Sequence, residues 1–389
     1  MSAGLNLYSA VGSVLTHYRV GVEDASLTKV SVVDMPSRVQ YAWRHPLLPI
    51  LYVTTAASGP RQKSDVNHLS AWALDEDGRL QPLGAPIALP ARAVHMCVDP
   101  QGRFALNTHN FPESAITVHT LNQDGTLGAQ VAQTRRLDYG IYPHQVLAFP
   151  SGKAALIIDR GNKATDSRGE EPGALRSFML NDGSLSEGRT VAPGGGYGFG
   201  ARHADFHPSK PWMYVSDERF NRLYMFRFNE ETIEEAPAYT RVMLADADNV
   251  RPRQIAGPIH VHPSGKFVYA ANRADQTVEL DGHKVFGGGE NNIAVYGIDD
   301  ATGEPTLIQH ADTHSFHVRT FACDPTGQLL VAASIRKMTV GSDGGVVTVP
   351  AALTVFRITD GRLTFERKYD VEVPDNEMQY WMGMVATAG

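Results

Sequence analysis

One phrase returns six times along the chain, and it limits the folds that are open to it. Each copy has a short apolar run, a turn containing proline or glycine, and a second run rich in β-forming residues, as in IHVHPSGKFVYAANR. The turn prolines are Pro46, Pro100, Pro150, Pro208, Pro263 and Pro325, spaced 50 to 62 residues apart. Repeats of this length that hold several short strands are typical of β-propeller blades.

Each repeat also predicts two further strands after the phrase. A third apolar run follows the second one, for example ITVHTL, LYMFRF, IAVYGI or LTVFRI. A turn such as Asn-Asp-Gly then precedes a fourth, outer run. Each repeat therefore predicts four antiparallel strands.

The two ends of the chain supply a seventh unit. MQYWMGMV near the C-terminus has the pattern of a first strand, and the N-terminal segment supplies three more runs. Sharing a blade in this way closes a ring and removes exposed sheet edges. We expect an all-β fold, a single seven-bladed β-propeller domain over 1–389, rather than an open solenoid or two sandwiches. The expected blades span 37–90, 92–140, 142–198, 200–253, 257–311, 317–371, and 378–389 with 5–36.

Composition narrows the choice of partners and compartment. The formal net charge is −7 and the calculated pI is about 6.1, so we expect no nucleic-acid partner. The sequence has no apolar run of membrane-spanning length and no secretion signal at its N-terminus, so we expect no membrane partner. Two cysteines in apolar runs suit a reducing compartment. We therefore expect a cytoplasmic protein, either a monomer or a weak homo-oligomer.

Candidate catalytic and binding residues occur at one end of the predicted ring. In a propeller blade, the start of the first strand and the end of the second lie on the same face. In a purely structural repeat these positions should carry uncharged side chains, yet several here carry charged or titratable ones. They are His109, His144, Asp159, Arg160, Arg202, Glu218, Arg273 and Arg319, with His203 in an adjoining inner strand.

This set of residues suits an anionic small molecule and a proton transfer. The fork of a guanidinium pairs with carboxylate or phosphate in two bonds, and histidine beside glutamate moves protons near neutral pH. The sequence contains no Gly-x-Ser-x-Gly elbow, Walker loop, His-Glu-x-x-His helix or dinucleotide fingerprint. Metal-ligand spacing is also absent, so we expect no metal.

With these residues in view, the sequence resembles the seven-bladed propeller lactonases. That family includes bacterial cytosolic 6-phosphogluconolactonase and the fungal 3-carboxy-cis,cis-muconate lactonizing enzyme. The segments that carry the resemblance are YPHQV, ARHADFHP, SDERFNRLYMF, IHVHPSGKFVYAANR and QYWMGMV. The resemblance implies catalytic roles for His144, Arg202, Glu218 and Arg273, and no metal or organic cofactor. The other five residues named above are expected to bind substrate.

The resemblance implies a lactone hydrolase of carbohydrate metabolism that acts on a small anionic lactone, either sugar-derived or carboxylated. A muconate-type lactonizing cycloisomerase, a non-catalytic interaction propeller and a metal-dependent six-bladed gluconolactonase remain alternatives. The pattern does not decide which lactone is used, whether it is phosphorylated, or whether His144 or Glu218 is the base.

Four loops are longer than in compact bacterial members of the family. They span 58–68, 160–173, 280–290 and 336–347. Three of them follow second strands and should surround the mouth, and the other lies in the same stretch of its own blade. Their lysines and arginines, Lys63, Lys163, Arg168 and Lys337, would be solvated unless they meet a phosphate.

Overall fold

A computed structural model of the chain describes residues 4–386. The ends of the predicted domain, 1–3 and 387–389, lie outside the described residues, as do the last three residues of the predicted seventh blade. Within residues 4–386 the regular structure consists of 33 strands and one short 3-10 turn, Pro193–Gly196. No helix in this part of the chain is long and apolar enough to cross a membrane.

Blades are numbered here in chain order, and the shared blade is the seventh. Its outer strands come first in the chain: β1 (Leu5–Val11), β2 (Val14–Gly21) and β3 (Ser26–Asp34). Blade 1 has its outermost strand in two pieces: β4 (Arg38–Arg44), β5 (Ile50–Ala56), β6 (Asn67–Leu74), β7 (Leu80–Pro82) and β8 (Ile87–Ala88). Blade 2 comprises β9 (Ala93–Val98), β10 (Phe104–Asn110), β11 (Ser114–Leu121) and β12 (Leu127–Gln130).

Blades 3 and 4 are plain four-stranded sheets. Their strands are β13 (Pro143–Ala148), β14 (Ala154–Asp159), β15 (Ala174–Asn181), β16 (Ser184–Val191), β17 (Ala201–Phe206), β18 (Trp212–Asp217), β19 (Arg222–Arg227) and β20 (Tyr239–Val242). Blade 5 carries an extra hairpin: β21 (Ile255–Val261), β22 (Phe267–Arg273), β23 (Thr277–Leu280), β24 (His283–Phe286), β25 (Asn292–Ile298) and β26 (Pro305–Asp312).

Blade 6 has a matching extra hairpin, and the chain then returns to blade 7. The strands are β27 (Val318–Cys323), β28 (Leu329–Ser334), β29 (Met338–Ser342), β30 (Gly345–Val349), β31 (Ala351–Thr359), β32 (Arg362–Val371) and β33 (Gln379–Ala386). Hairpins β23–β24 and β29–β30 are separate two-stranded sheets that contact each other. The long loops of these blades are therefore ordered β-hairpins.

Closure of the ring depends on the pairing of the first and last strands. β1 and β33 are antiparallel, with Leu5 opposite Ala386 and Ala10 opposite Trp381. Seven blades are present in the described chain, so the seven-bladed fold and its shared last blade are confirmed. The six-bladed alternative, the open solenoid and the pair of sandwiches are wrong, because none has seven closed antiparallel units.

The core of the molecule is divided between the blades. Residues 4–386 contain seven apolar clusters, and each lies between two neighbouring blades. Tyr8 and Trp381 of blade 7 share a cluster with Leu51 and Val53 of blade 1. Because each sheet buries both faces, the inner strands are apolar along most of their length. Polar side chains are left to the strand ends and the central channel.

The repeated turns connect neighbouring blades on one face, which we call the turn face. Nε2 of His207 donates to the carbonyl of Gly265 in blade 5 at 2.9 Å, while Nδ1 accepts amides of its own turn. His262 bonds Gly327 of blade 6 in the same way, also at 2.9 Å. Gly265 has a φ of +73°, and a Cβ there would lie 2.5 Å from the ring of His207. The repeated His-Pro and Gly are therefore parts of an inter-blade contact.

Candidate active site

A β-bulge at the same place in each blade directs side chains toward the opposite face, the mouth. In the described part of all seven blades, the first and second strands lose register near the mouth, which leaves an extra residue on the first strand. Bulges re-aim the side chain that they carry. The extra residues include Gln40, Val94, His144, Arg202, Gly257, Arg319 and Tyr380. Three of these seven, His144, Arg202 and Arg319, are among the mouth residues that the repeat predicted.

Glu218 stands at the centre of a cluster of arginines just beyond the end of β18. Arg160 donates from Nη1 to Oε1 of Glu218 at 2.8 Å. Arg273 donates from Nη2 to Oε2 at 3.1 Å, and Nε of Arg202 lies 2.8 Å from the same oxygen. The backbone of Glu218 bonds Gly200 and Ala256, so two neighbouring blades fix its position. The structure thus brings together four predicted site residues from blades 3, 4 and 5.

The arginines determine the charge state of Glu218. Burial would raise the pKa of this carboxyl, but the charges of Arg160, Arg273 and Arg202 outweigh burial and lower the pKa to about 2. Glu218 is therefore ionised at neutral pH, and three guanidiniums occupy its oxygens. Arg202 is almost fully buried, and its Nη1 has no hydrogen-bond partner in the described residues. That atom is a buried donor available to a bound molecule.

Arg273 connects the cluster to blade 6. Its Nε donates to the carbonyl of Ala256 at 3.1 Å, and its Nη1 lies 3.2 Å from Nε2 of His317. Nδ1 of His317 is 3.5 Å from a carboxylate oxygen of Asp275. Burial, and then the charge of Arg273, hold the pKa of His317 well below its usual range. The imidazole is therefore neutral and accepts a hydrogen bond from Arg273.

Three histidines and a tyrosine line the channel below the arginines. The ring centroids of His144 and His203 are 5.2 Å apart, and those of His203 and His95 are 5.7 Å apart. Tyr41 lies against His95 at 3.8 Å. Burial, followed by the charge of Arg202, holds the pKa of His144 well below its usual range. Nδ1 of His144 has no hydrogen-bond partner among residues 4–386.

Arg319 of blade 6 packs against an aromatic ring. Its guanidinium carbon stands 3.8 Å from the ring centroid of Tyr380, a cation–π contact. The hydroxyl of Tyr380 accepts a hydrogen bond of 3.4 Å from Nη1 of Arg92. Sequence reasoning missed both Tyr380 and Arg92. The alignment of QYWMGMV as a first strand would have placed Tyr380 at the bulge, but blade 7 has no turn proline to mark the register.

Two predicted substrate-binding residues have their polar contacts elsewhere. The carboxylate of Asp159 accepts the amides of Ile141, Tyr142 and Gly161 at 2.8 to 3.2 Å, and so holds the loop that leads to His144. His109 lies inside its own sheet, and Nε2 contacts Oγ1 of Thr117 at 3.0 Å. The structure does not bring either side chain to Glu218.

The long loops form one wall of the mouth. A cleft of about 580 Å³ opens beside Glu218 and Arg160 and reaches Arg61 and Arg251. Arg61 of the first loop donates to Oδ1 of Asn162 in the second at 3.0 Å, so the two loops contact each other. Among residues 4–386, no three histidine, cysteine, aspartate or glutamate side chains form a group that could hold a metal ion.

Comparisons with known proteins agree with this architecture. The family described as "Lactonase, 7-bladed beta-propeller" matches residues 7–341. The 6-phosphogluconolactonase of Bacillus subtilis is 28% identical over 271 residues, which cover 68% of this chain and 70% of the relative. That of Pectobacterium carotovorum is 25% identical over 310 residues, covering 79% and 81% respectively.

A solved structure extends the likeness to nearly the whole chain. The periplasmic gluconolactonase of Pseudomonas aeruginosa superposes with a TM-score of 0.71 at 18% identity, covering 99% of this chain and 100% of that one. At that identity the likeness shows the fold alone. Neither the cycloisomerase nor the interaction propeller is favoured by these comparisons.

Proposed function

The chain belongs to the seven-bladed β-propeller lactonase family, and from that premise we propose that it hydrolyses an anionic sugar-derived lactone at the mouth of the channel. The observation that carries the proposal is the position of Arg202. It is buried beside Glu218, and its Nη1 donor has no partner among the residues that the structure describes. Such a donor stabilises the oxyanion that forms when water attacks a lactone carbonyl.

We assign the role of general base to His144 rather than Glu218. Both oxygens of Glu218 are engaged by guanidiniums, so neither oxygen is free to take a proton from water. His144 is neutral at neutral pH, and its Nδ1 has no partner within the described chain. Glu218 is then a positioning residue, because it holds Arg160, Arg202 and Arg273 at fixed distances.

The steps follow from these roles. His144 takes a proton from water as the water oxygen bonds to the lactone carbonyl carbon, and the carbonyl oxygen becomes an oxyanion beside Arg202 and Arg273. The tetrahedral intermediate collapses, the ring C–O bond breaks, and His144 returns its proton to the departing ring oxygen. The product is an open-chain hydroxy acid, which releases one proton to solvent at neutral pH.

The test is a proton-release assay on D-glucono-1,5-lactone, 6-phosphoglucono-1,5-lactone and muconolactone. We expect hydrolysis of the sugar lactones, and we expect Arg202→Met to lower kcat about 10²–10³-fold, the usual loss when an oxyanion donor is removed. Arg189→Met is the matched control, because Arg189 is exposed on an outer strand and pairs with Glu235. Equal rates in wild type and Arg202→Met on every lactone would contradict the assignment.

We propose that this reaction needs no metal or organic cofactor, since the groups named above supply the base and the oxyanion donors. Dialysis against a chelator should leave kcat and KM unchanged. A loss of activity that is restored by one divalent cation would overturn this part of the proposal.

A cytoplasmic location is part of the same proposal. Cys97 and Cys323 are free thiols, and burial raises the pKa of both, which suits a compartment that keeps cysteines reduced. Cell fractionation with an antibody to the protein would test it, and recovery in an exported fraction would contradict it.

A further inference from the structure

We propose that Arg92, Arg319 and Tyr380 form a second anion-binding site in the channel, which takes a permanent carboxylate or phosphate group of the substrate. The inference rests on the proposed function, because it assigns the position of a charged substituent on the lactone. It adds a site to the cluster around Glu218, where the oxyanion develops.

Arg92 is a buried cation without a counter-ion. Its side chain is 4% exposed. It donates from Nη1 to Oε1 of Gln40 at 2.9 Å and to the hydroxyl of Tyr380 at 3.4 Å, and from Nη2 to Oδ1 of Asn110 at 3.5 Å. Within residues 4–386 no carboxylate lies at ion-pair distance from Arg92. Buried charges are normally paired, so this guanidinium is arranged for an anion that arrives with a ligand.

Arg319 is a second cation beside Tyr380, although its side chain is only half-buried. Its guanidinium lies on the tyrosine ring at 3.8 Å, and among the described residues it has no carboxylate partner. Burial would raise the pKa of Tyr380, yet the charges of Arg319, Arg92 and Arg202 outweigh burial and lower it. Arg319 on the ring and Arg92 at the hydroxyl thus place two cations against one phenol, and the lowered pKa agrees with an excess of positive charge there.

An unused hydrogen-bond donor points to the same place. Asn110 is 7% exposed, and its Oδ1 accepts from Arg92 while its Nδ2 has no partner in the described chain. A cavity of about 200 Å³ between blades 7 and 1 is lined by Gln40 and Tyr380, the two groups that contact Nη1 of Arg92, and by the ion pair of Arg38 and Glu377. Arg92, Arg319 and Asn110 are not among the residues that line it. The site thus has two guanidiniums and a free amide donor, and its neighbours Gln40 and Tyr380 face an open cavity.

The arginines around Glu218 differ from Arg92 and Arg319 in how their charge is balanced, which explains why the site would bind a second anionic group. Arg160, Arg202 and Arg273 share the carboxylate of Glu218, so their charge is largely balanced before substrate binds. In the part of the chain that the structure describes, Arg92 and Arg319 have no such partner. A lactone with a charged group at the end away from its carbonyl would neutralise them, and the same contact would orient the carbonyl toward Arg202.

The experiment compares lactones that differ in charge. The substrates are D-glucono-1,5-lactone, 6-phosphoglucono-1,5-lactone and a glucaric acid monolactone, which carry no charge, a phosphate and a carboxylate respectively. We expect wild type to favour the charged lactones, and we expect Arg92→Gln or Arg319→Gln to lower the charged-to-neutral ratio of kcat/KM at least about 30-fold, mainly through KM. Arg92→Lys should restore part of the ratio. The phosphate and carboxylate arms show which anion is accepted.

Two control variants locate the effect. Arg189→Gln should leave the ratio at the wild-type value. Arg251→Gln tests the cleft at the rim, and a fall of the ratio in this variant instead of Arg92→Gln would overturn the proposal. So would equal losses on neutral and charged lactones. If wild type hydrolyses none of the three, the proposed function fails, which is a different result from an unchanged ratio in an active enzyme.

A binding measurement keeps the proposal testable if Arg92→Gln does not fold. Inorganic phosphate should inhibit wild-type hydrolysis of the neutral lactone competitively, and calorimetry should detect its binding. Arg319→Gln removes a half-buried side chain, so it should fold and weaken phosphate binding at least about 10-fold. Phosphate binding that is equal in wild type and Arg319→Gln would overturn the proposal.

Discussion

The two ends of the channel are built by the same strands, yet they are chemically unlike. On the turn face, His45, His207 and His262 occupy equivalent positions, and each bonds a glycine carbonyl of the next blade, at 3.2, 2.9 and 2.9 Å. At the mouth, the equivalent bulge carries glutamine, valine, histidine, arginine, glycine, arginine and tyrosine in turn. Histidine recurs in three of the six turns and makes the same contact between blades each time, whereas the residues at the mouth vary from blade to blade.

The largest expected effect tests the mouth. His144→Ala should lower kcat about 10²–10⁴-fold, the usual contribution of a general base, with little change in thermal stability. Steady-state proton release and a thermal melt of the same preparation would check this. Wild type should also keep its activity below pH 6.5, because the lowered pKa of His144 keeps the imidazole deprotonated there. Activity unchanged in His144→Ala would remove His144 from the mechanism.

The second effect asks whether the mouth also contributes to stability. Glu218→Gln leaves Arg160, Arg202 and Arg273 without their shared carboxylate, and should lower the free energy of unfolding by about 3–5 kcal/mol. Urea unfolding would measure this. Glu235→Gln is the control, because this exposed partner of Arg189 should contribute under about 1 kcal/mol. A Glu218→Gln variant as stable as wild type would show that the arginines do not need the carboxylate.

The third effect tests the turn face. Gly265→Ala places a Cβ 2.5 Å from the ring of His207 at a φ of +73°. The substitution should lower the free energy of unfolding by about 2–3 kcal/mol, because alanine is strained in the left-handed region and the histidine–carbonyl bond is weakened. Because the turn lies away from the mouth, kcat/KM should stay at the wild-type value. Gly282→Ala is the matched control, since Gly282 has a φ of +78° and an added Cβ there would meet no atom within 4 Å. This variant should lose only the stability that left-handed backbone strain costs.

The smallest effect is a difference in pH dependence between the two ends. Burial lowers the pKa of His203 well below its usual range, and that of His207 less far. A buried neutral histidine contributes stability that is present above the unfolded pKa of about 6.5 and lost as pH falls below it, by up to about 1.4 kcal/mol per pH unit. His203→Asn should therefore flatten the loss of stability between pH 6.5 and pH 5 more than His207→Asn. Equal slopes in unfolding experiments would contradict this.

The sequence was sufficient for the blades because proline marks all six turns and glycine follows it in four of them. It was also sufficient for most of the mouth, since a bulge at a constant distance from the turn fixes which residue faces the channel. That distance identified His144, Arg202 and Arg319 without any knowledge of contacts.

The repeat pattern could not identify two residues of the site. Tyr380 belongs to the blade that the chain ends share, where the marker turn is missing. Arg92 lies two residues before the bulge of blade 2, and its side chain bridges to blade 1 through Gln40. Asp159 is the opposite case, because the repeat pattern selected it but could not show which groups it contacts. It was predicted to bind substrate, but its carboxylate accepts three backbone amides, a contact that no spacing could reveal.

The pairing of Leu5 with Ala386 has a practical consequence. These residues lie side by side on the turn face, at the far end of β1 and β33 from Tyr380. A short peptide linker from Ala386 to Leu5 would join the two strands directly, and the resulting circular permutant could be opened at the β23–β24 hairpin without cutting an inner strand. A support attached to that linker would hold the enzyme with its mouth toward the solution.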